Sequence, residues 1–283
     1  VELDESPALV THNEFSGGVQ NGGINLDCHA GCEPTSLTKN HLFNLGTLNQ
    51  YGLSDGGAIH IDNSTGFVEV TDNKVHDIRA QGFNGGGLYL DDTTTNVLCR
   101  GNLFYNLKGG VIQWNKQAPG GVVNISNNVF AKSVNGTYSP VNGGNRTGEA
   151  FMEWNRDGAV NMEHNVVFFD PERDGPLFSS WHGPSAASSF KTVAMDYNLY
   201  VDTSSATGGS GVFSAESGKG GTPFPGDLSM KAWQARGHDV HSEGAVHGKC
   251  ANWSWSEFEN GGGAAGMALG ILPLILDDVG PDW

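Results

Sequence analysis

A short motif, apolar-x-x-Asn-x-apolar, recurs down this chain and restricts its fold more than any other feature. It appears as Val10-Asn13-Phe15, Leu37-Asn40-Leu42, Val70-Asn73-Val75, Ile125-Asn128-Phe130, Met162-Asn165-Val167 and Met195-Asn198-Tyr200. A seventh copy is built around Asn102, with Cys99 in the leading apolar place and Phe104 in the trailing one. Successive asparagines are 27, 33, 29, 26, 37 and 33 residues apart, which is one coil of a solenoid plus loops of varying length. An Asn amide both donates and accepts, so Asn stacked at the ~4.8 Å spacing of parallel strands can form a hydrogen-bonded ladder. Asn also tolerates the left-handed backbone of a sharp turn between strands. The expected fold is all-β, a single-stranded right-handed parallel β-helix over residues 1–226. Residues 227–283 are expected to supply a short helix and a capping segment packed on it.

Composition agrees. The 283 residues include 42 glycines and only 16% charged side chains, which suits many tight turns between short strands. A formal net charge of −16 with 15 scattered basic residues excludes nucleic acid as a partner. It also disfavours polyanionic sugars unless a divalent cation bridges them, leaving neutral or modestly charged glycans as the better fit. The longest apolar run, 267–276, is broken by Pro273 and is well short of the ~20 residues of a spanning helix, so no membrane span is expected. The chain starts at Val1 with neither an initiator Met nor a leader, as a processed or trimmed product would.

The four cysteines, Cys28, Cys32, Cys99 and Cys250, are compatible with an exported, disulfide-containing protein. Cys28 and Cys32 are close enough to bridge, with a zinc site at Cys28-His29-x-x-Cys32 as the alternative. Sequons begin at Asn63, Asn124, Asn135, Asn145 and Asn252. The glycosylation candidates are Asn63, Asn135, Asn145 and Asn252, and the expected localisation is extracellular.

A second repeat lies upstream of the Asn motif. The segments Gly22-Gly-Ile-Asn-Leu-Asp27, Gly57-Ala-Ile-His-Ile-Asp62 and Gly86-Gly-Leu-Tyr-Leu-Asp91 align without gaps. Strand alternation turns their Ile and Leu inward and places Asn25, His60, Tyr89, Asp27, Asp62 and Asp91 outward. Extending the alignment with Trp in the Asp place gives an outer column Asp27, Asp62, Asp91, Trp114, Trp154, Trp181. The column beside it reads Cys28, Asn63, Asp92, Asn115, Asn155, His182. Gln113 and Glu153 then fall at inward places, which a local bulge would have to re-aim.

Carboxylates followed by aromatic rings on one face of a rigid solenoid suit a long glycan, with rings to stack on sugars and paired acids for chemistry. Plain sheet covering by the Trp residues, and aspartates sitting in turns, are the alternatives. Asp62 and Asp91 on adjacent coils are expected about 5 Å apart, where one pKa must rise; a general acid is made this way. The substrate-binding candidates are Asp27, His60, Tyr89, Asp92, Gln113, Trp114, Trp154, Trp181 and His182. A calcium ion held by Asp62, Asp91 and Asp92 stays open, as does a calcium-dependent lyase drawing its base from Lys108, Lys116 or Arg100.

The stretches Leu53-Ser-Asp-Gly-Gly-Ala-Ile59, Asn73-Lys-Val-His-Asp-Ile78, Gly86-Gly-Leu-Tyr-Leu-Asp-Asp92 and Asn102-Leu-Phe-Tyr-Asn106 resemble the core of secreted right-handed β-helix proteins related to glycoside hydrolase family 141. The segment Ala232-Trp-Gln-Ala-Arg-Gly-His-Asp-Val-His-Ser242 resembles one that follows the β-helix in that group. The resemblance covers most of residues 20–245 and implies a glycosidase with two acids, which map to Asp55 and Asp91. The sequence departs from the pattern at Ala58 and His60, where Gly and Tyr are more usual. A different class of function also fits: a non-catalytic structural or adhesive glycoprotein that self-associates end to end through an uncapped N-terminal coil.

At the C-terminal side, Asp227 to Arg236 reads as a helix with Asp227 as N-cap and Gly237 as its stop. The apolar run 267–276 reads as a final covering strand.

Overall fold

The structure is a computed structural model that describes residues 1–4, 7–17, 22–28, 34–46, 56–78, 85–107, 110–115, 120–131, 152–155, 159–169, 178–180, 193–202, 215–217, 230–235 and 237–244. Among them the chain forms a parallel β-solenoid of three sheets, with eight, seven and eight strands. The first sheet contains Glu2–Asp4, Ile24–Asp27, Gly56–Asp62, Gly85–Leu90, Ile112–Asn115, Met152–Asn155, Phe178–Ser180 and Ala215–Ser217. The second runs from Leu9–Thr11 through Thr35–Thr38, Val68–Thr71, Val97–Arg100 and Val122–Ser126 to Ala159–Glu163 and Val193–Asp196. The third runs from Glu14–Ser16 through His41–Phe43, Lys74–Ile78, Leu103–Leu107, Val129–Ala131 and Val166–Phe169 to Leu199–Asp202 and Glu243–Gly244. Each strand pairs with its counterpart one coil later and every pairing is parallel, so each coil contributes one strand to each sheet. No helix of the described residues is long and apolar enough to cross a membrane.

Alternation along the strands builds the core. In Val68–Thr71 the two valines are buried while Glu69 and Thr71 are half-exposed, and Thr35–Thr38 follows the same pattern. Inward side chains from successive coils stack into one apolar column system, including Leu26, Ile61, Leu90, Val70, Cys99, Ile125, Val75, Phe104 and Phe130. The apolar residues that flank each Asn from the second coil onward are all buried in this core. Close packing extends to the backbone where the first sheet begins: a Cβ on Gly86 would stand 2.0 Å from the Gly110 carbonyl oxygen. Only glycine permits that approach.

All seven repeat asparagines form the expected ladder. The Asn13 side-chain amide donates to Asn40 Oδ1 at 3.1 Å. The same bond, at 3.0 Å, links Asn40 to Asn73, Asn73 to Asn102, Asn102 to Asn128, Asn128 to Asn165 and Asn165 to Asn198. Each of those acceptor oxygens also takes the backbone N–H of the preceding Asn. From Asn40 onward, each amide further donates to a second-sheet carbonyl of the preceding coil, as from Asn102 to Val70 at 2.7 Å. Asn40, Asn73, Asn102 and Asn128 are fully buried, so these bonds are what make a polar column tolerable inside the solenoid.

One detail differs from expectation. The left-handed backbone of the turn falls one residue before each Asn, at His12, Lys39, Asp72, Gly101, Asn127, His164 and Tyr197, with φ between 53° and 68°. Placing the left-handed residue there leaves the Asn free to turn its amide into the ladder. The strain of a left-handed non-glycine residue is roughly 1–2 kcal/mol. The ladder bonds that follow offset it.

The ladder ends on a buried carboxyl group. Asn198 donates to Asp239 Oδ1 at 2.9 Å, and Ser242 Oγ donates to the same oxygen at 2.7 Å. Asp239 Oδ2 accepts from Trp233 Nε1 at 2.8 Å and from the Tyr200 hydroxyl at 3.0 Å. The Asn198 N–H, next in the backbone series, goes to Ser242 Oγ. Burial, and then the neighbouring Asp239 charge, push the Tyr200 hydroxyl well above its ordinary pKa. Within the expected C-terminal helix, Met230–Gln234 is helical, and Gly237 follows it with φ 90°. It delivers Trp233 to the cap; Asp227, Arg236 and the run 267–276 lie outside the described residues.

Replacing Asn102 by Ala removes an acceptor of two N–H groups and a donor to the next rung, and should cost about 2–4 kcal/mol in denaturant unfolding. Asp239→Ala strands four buried donors and should cost ~3 kcal/mol or more in the same measurement. A change below ~0.5 kcal/mol in both variants would contradict the ladder as a source of stability.

Candidate functional site

The outward face of the first sheet carries two polar columns. The register pairs Asn25 with His60, His60 with Tyr89, Tyr89 with Gln113 and Gln113 with Glu153. Two residues further along the strands, Asp27 pairs with Asp62. Asp91 follows Leu90, whose partner is Ile61, and the Asp91 N–H bonds the Ile61 carbonyl at 2.8 Å. Asp91 therefore occupies the place beside Asp62. Asn115 comes next, because Trp114 pairs with Leu90 and Asn115 Nδ2 donates to Asp91 Oδ1 at 2.8 Å. The Asp column thus runs Asp27, Asp62, Asp91, Asn115, Asn155.

At Trp114 this corrects the expected Trp platform. Trp114 lies in the inward column with Ile61 and Leu90, is 3% exposed and belongs to the hydrophobic core. Trp154 is the register partner of Trp114 on the next coil. Strand Ile112–Asn115 keeps the register of its neighbour, Ile112 and Trp114 pairing with the inward Leu88 and Leu90 and Gln113 with Tyr89, so no bulge is needed. Gln113 keeps its place on the candidate face beside Tyr89, although it is buried. Trp181, His182 and Asp55 lie outside the described residues.

Within the site the two carboxyl groups differ. Burial is the main influence on Asp62 and raises its pKa; the nearby charge of Asp91 adds to this, His60 partly offsets it, and Asp27 and Asp92 add further. For Asp91, burial also works upward, but the His60 ring and hydrogen bonds from the Asp92 amide, Tyr89 and Asn115 outweigh it and hold the carboxyl at about 2. The Asp92 N–H reaches Asp91 Oδ1 at 2.8 Å. His60 Nε2 stands 3.9 Å from Asp91 Oδ2, beyond direct hydrogen-bond range, so its effect there is electrostatic. The His60 ring is stacked on Tyr89, with centroids 4.9 Å apart and planes 13° from parallel. The two shifts have opposite consequences for stability: Asp91 contributes above its ordinary pKa and loses that contribution as pH falls toward about 2, whereas ionising Asp62 above its raised pKa works against the fold.

The remaining candidates fall as follows. Cys28 is fully buried at the end of its strand, Cys99 is a free buried thiol whose pKa is pushed up to about 12 by burial, and Cys32 and Cys250 lie outside the described residues. Asn63 is half-buried in a turn with φ 54°. Asn124 accepts a 2.9 Å bond from Asn161 on the second sheet, and Asn135, Asn145 and Asn252 lie outside the described residues. Among the described residues no group of three or more His, Cys, Asp or Glu side chains is arranged to hold a metal ion. Of the lyase bases, Arg100 is on the second sheet, away from the face that carries Asp91, and Lys108 and Lys116 lie outside the described residues.

Sequence reasoning passed over Asn25 and Asn115 as site residues. The signal for Asn115 was the polar alternation of Ile112-Gln-Trp-Asn115 itself. It also passed over a stack on the third sheet, where His76 lies between Phe43 and Tyr105 at 5.6 and 4.5 Å and meets His41 with their Nε2 atoms 2.7 Å apart. Compared with protein-family models, with curated proteins and with solved structures, the chain finds no match in any of the three.

The inward placement of Trp114 is checked by Trp114→Ala, which should destabilise the fold by about 3–5 kcal/mol, as truncation of a large core side chain does. A loss below ~0.5 kcal/mol would return Trp114 to the surface.

Proposed function

We propose that this chain is a secreted glycoside hydrolase, built on a right-handed single-stranded β-helix and related to glycoside hydrolase family 141, that cleaves a polysaccharide with Asp62 as general acid and Asp91 as its ionised partner. The observation that carries this reading is the divergence of two carboxyl groups on adjacent coils. One is held up by burial and by its neighbour's charge, the other held at about 2 by donated hydrogen bonds. Carboxyl pairs whose surroundings push them apart divide into an acid and a base or nucleophile. Protonated Asp62 delivers its proton to the glycosidic oxygen as the bond to the anomeric carbon breaks. Asp91 attacks the anomeric carbon as that bond breaks, and a water deprotonated by Asp62 then hydrolyses the glycosyl–Asp91 ester and frees both; the ~4.8 Å spacing of neighbouring strands suits the shorter carboxyl separation of such a retaining mechanism. Asp55, one of the two acids implied by the family resemblance, has no part in this assignment.

The steps need no metal or organic cofactor.

Release of reducing sugar from a panel of plant and algal glycans tests the proposal. Asp62→Asn and Asp91→Asn should each lower the rate by ~10²–10⁴-fold. Wild-type activity should fall as pH rises through the raised Asp62 pKa, which strips the acid of its proton, and fall again toward pH about 2 as Asp91 is protonated. Equal rates in wild type and both variants would overturn the assignment.

A further inference from the structure

The polar atoms around the carboxyl pair are not satisfied evenly. On the C-terminal side, Asn115 bonds Asp91, and its Nδ2 is 3.4 Å from the Tyr89 hydroxyl. On the N-terminal side, Asn25 Oδ1, both ring nitrogens of His60 and Asp62 Oδ1 are buried without any hydrogen-bond partner. His60 is only 9% exposed, and the four atoms come from two neighbouring strands in direct register, Asn25 beside His60 and Asp62 two residues on. Leaving a buried donor or acceptor unpaired costs about 1–3 kcal/mol each. Such groups are few in native folds, and a functional role is one reason a fold retains them.

We infer that the unit of the glycan lying on the N-terminal side of the carboxyl pair is an uncharged sugar ring, whose hydroxyls are bonded by Asn25 Oδ1, the two His60 nitrogens and Asp62 Oδ1. This deepens, and rests on, the assignment of this face to a glycan. Two or three of these atoms accept and at least one His60 nitrogen donates, in either tautomer. A hydroxyl does both, so a vicinal pair of hydroxyls can meet such a mixed set. A carboxylate or sulfate on the ring only accepts, and would stand among Asp27, Asp62, Asp91 and Asp92 with no Lys or Arg in either column of the described face.

His60→Phe separates this role from a structural one. Phenylalanine keeps a flat ring against Tyr89 but removes both ring nitrogens, and with them the 3.9 Å contact of Nε2 to Asp91, so the variant should melt close to the wild-type temperature. Its affinity for neutral oligosaccharides should fall at least tenfold. The measurement is binding of wild type and His60→Phe to an immobilised set of neutral, uronate and sulfated oligosaccharides, with thermal unfolding of both proteins alongside. Wild-type binding confined to neutral members, lost in a fully stable His60→Phe, is the expected result. Binding only to anionic members, no binding at all, unchanged affinity in the variant, or a clearly lower melting temperature would each overturn it. Neutral-glycan binding without any release of reducing sugar would leave this inference standing while removing the hydrolase reading.

Discussion

The Asn ladder is the interaction on which the rest of this structure depends. A parallel solenoid slipped by one residue would exchange every inward side chain for an outward one. Here a slip would also break, at each coil, an amide-to-amide bond and a backbone bond to the same oxygen, in a column shut off from water. The penalty for unpaired buried amides makes the register far more definite than apolar alternation alone would. The ladder also has a direction, since each rung donates toward the C-terminal end. A terminus that only accepts is what such a column requires there, and Asp239 supplies it, gathering donors from Asn198, Tyr200, Trp233 and Ser242.

The candidate site follows from that register. Nothing local draws Asp27, Asp62 and Asp91 together; they are 35 and 29 residues apart in sequence and meet because successive coils superpose. The solenoid places like charges side by side that flexible loops would separate, and the neighbours decide how each responds. Asp91 has donors on its oxygens and stays ionised, while Asp62 has an oxygen that is buried and unpaired. A rigid scaffold thereby holds an energetically unfavourable pair in place, a feature more often functional than structural.

Much of this was legible in the sequence. All seven ladder positions, and the alignment of residues 22–27, 57–62 and 86–91, are legible because period-2 alternation and a fixed Asn place reinforce one another. The misreading began at Trp114. Aligning its large ring with the aspartates continues an outer column, yet the strand's own order, Ile112 and Trp114 against Gln113 and Asn115, places the tryptophan inside. Alternation outweighs residue type here. The Asp239 cap could not be read in advance, since its meaning depends on being 0% exposed beneath the last rung, a property of tertiary packing that no local pattern records.

The central claim is that the register forces Asp62 and Asp91 into a coupled pair with divided protonation. Carboxyl-carbon NMR titration of both residues, in wild type and in Asp91→Asn, tests it most directly. The expected result is Asp91 titrating at about 2, Asp62 titrating above the ordinary carboxyl range, and Asp62 moving back down once the Asp91 charge is removed. Two aspartates that titrate together at the ordinary carboxyl value, with Asp62 indifferent to Asp91→Asn, would contradict it.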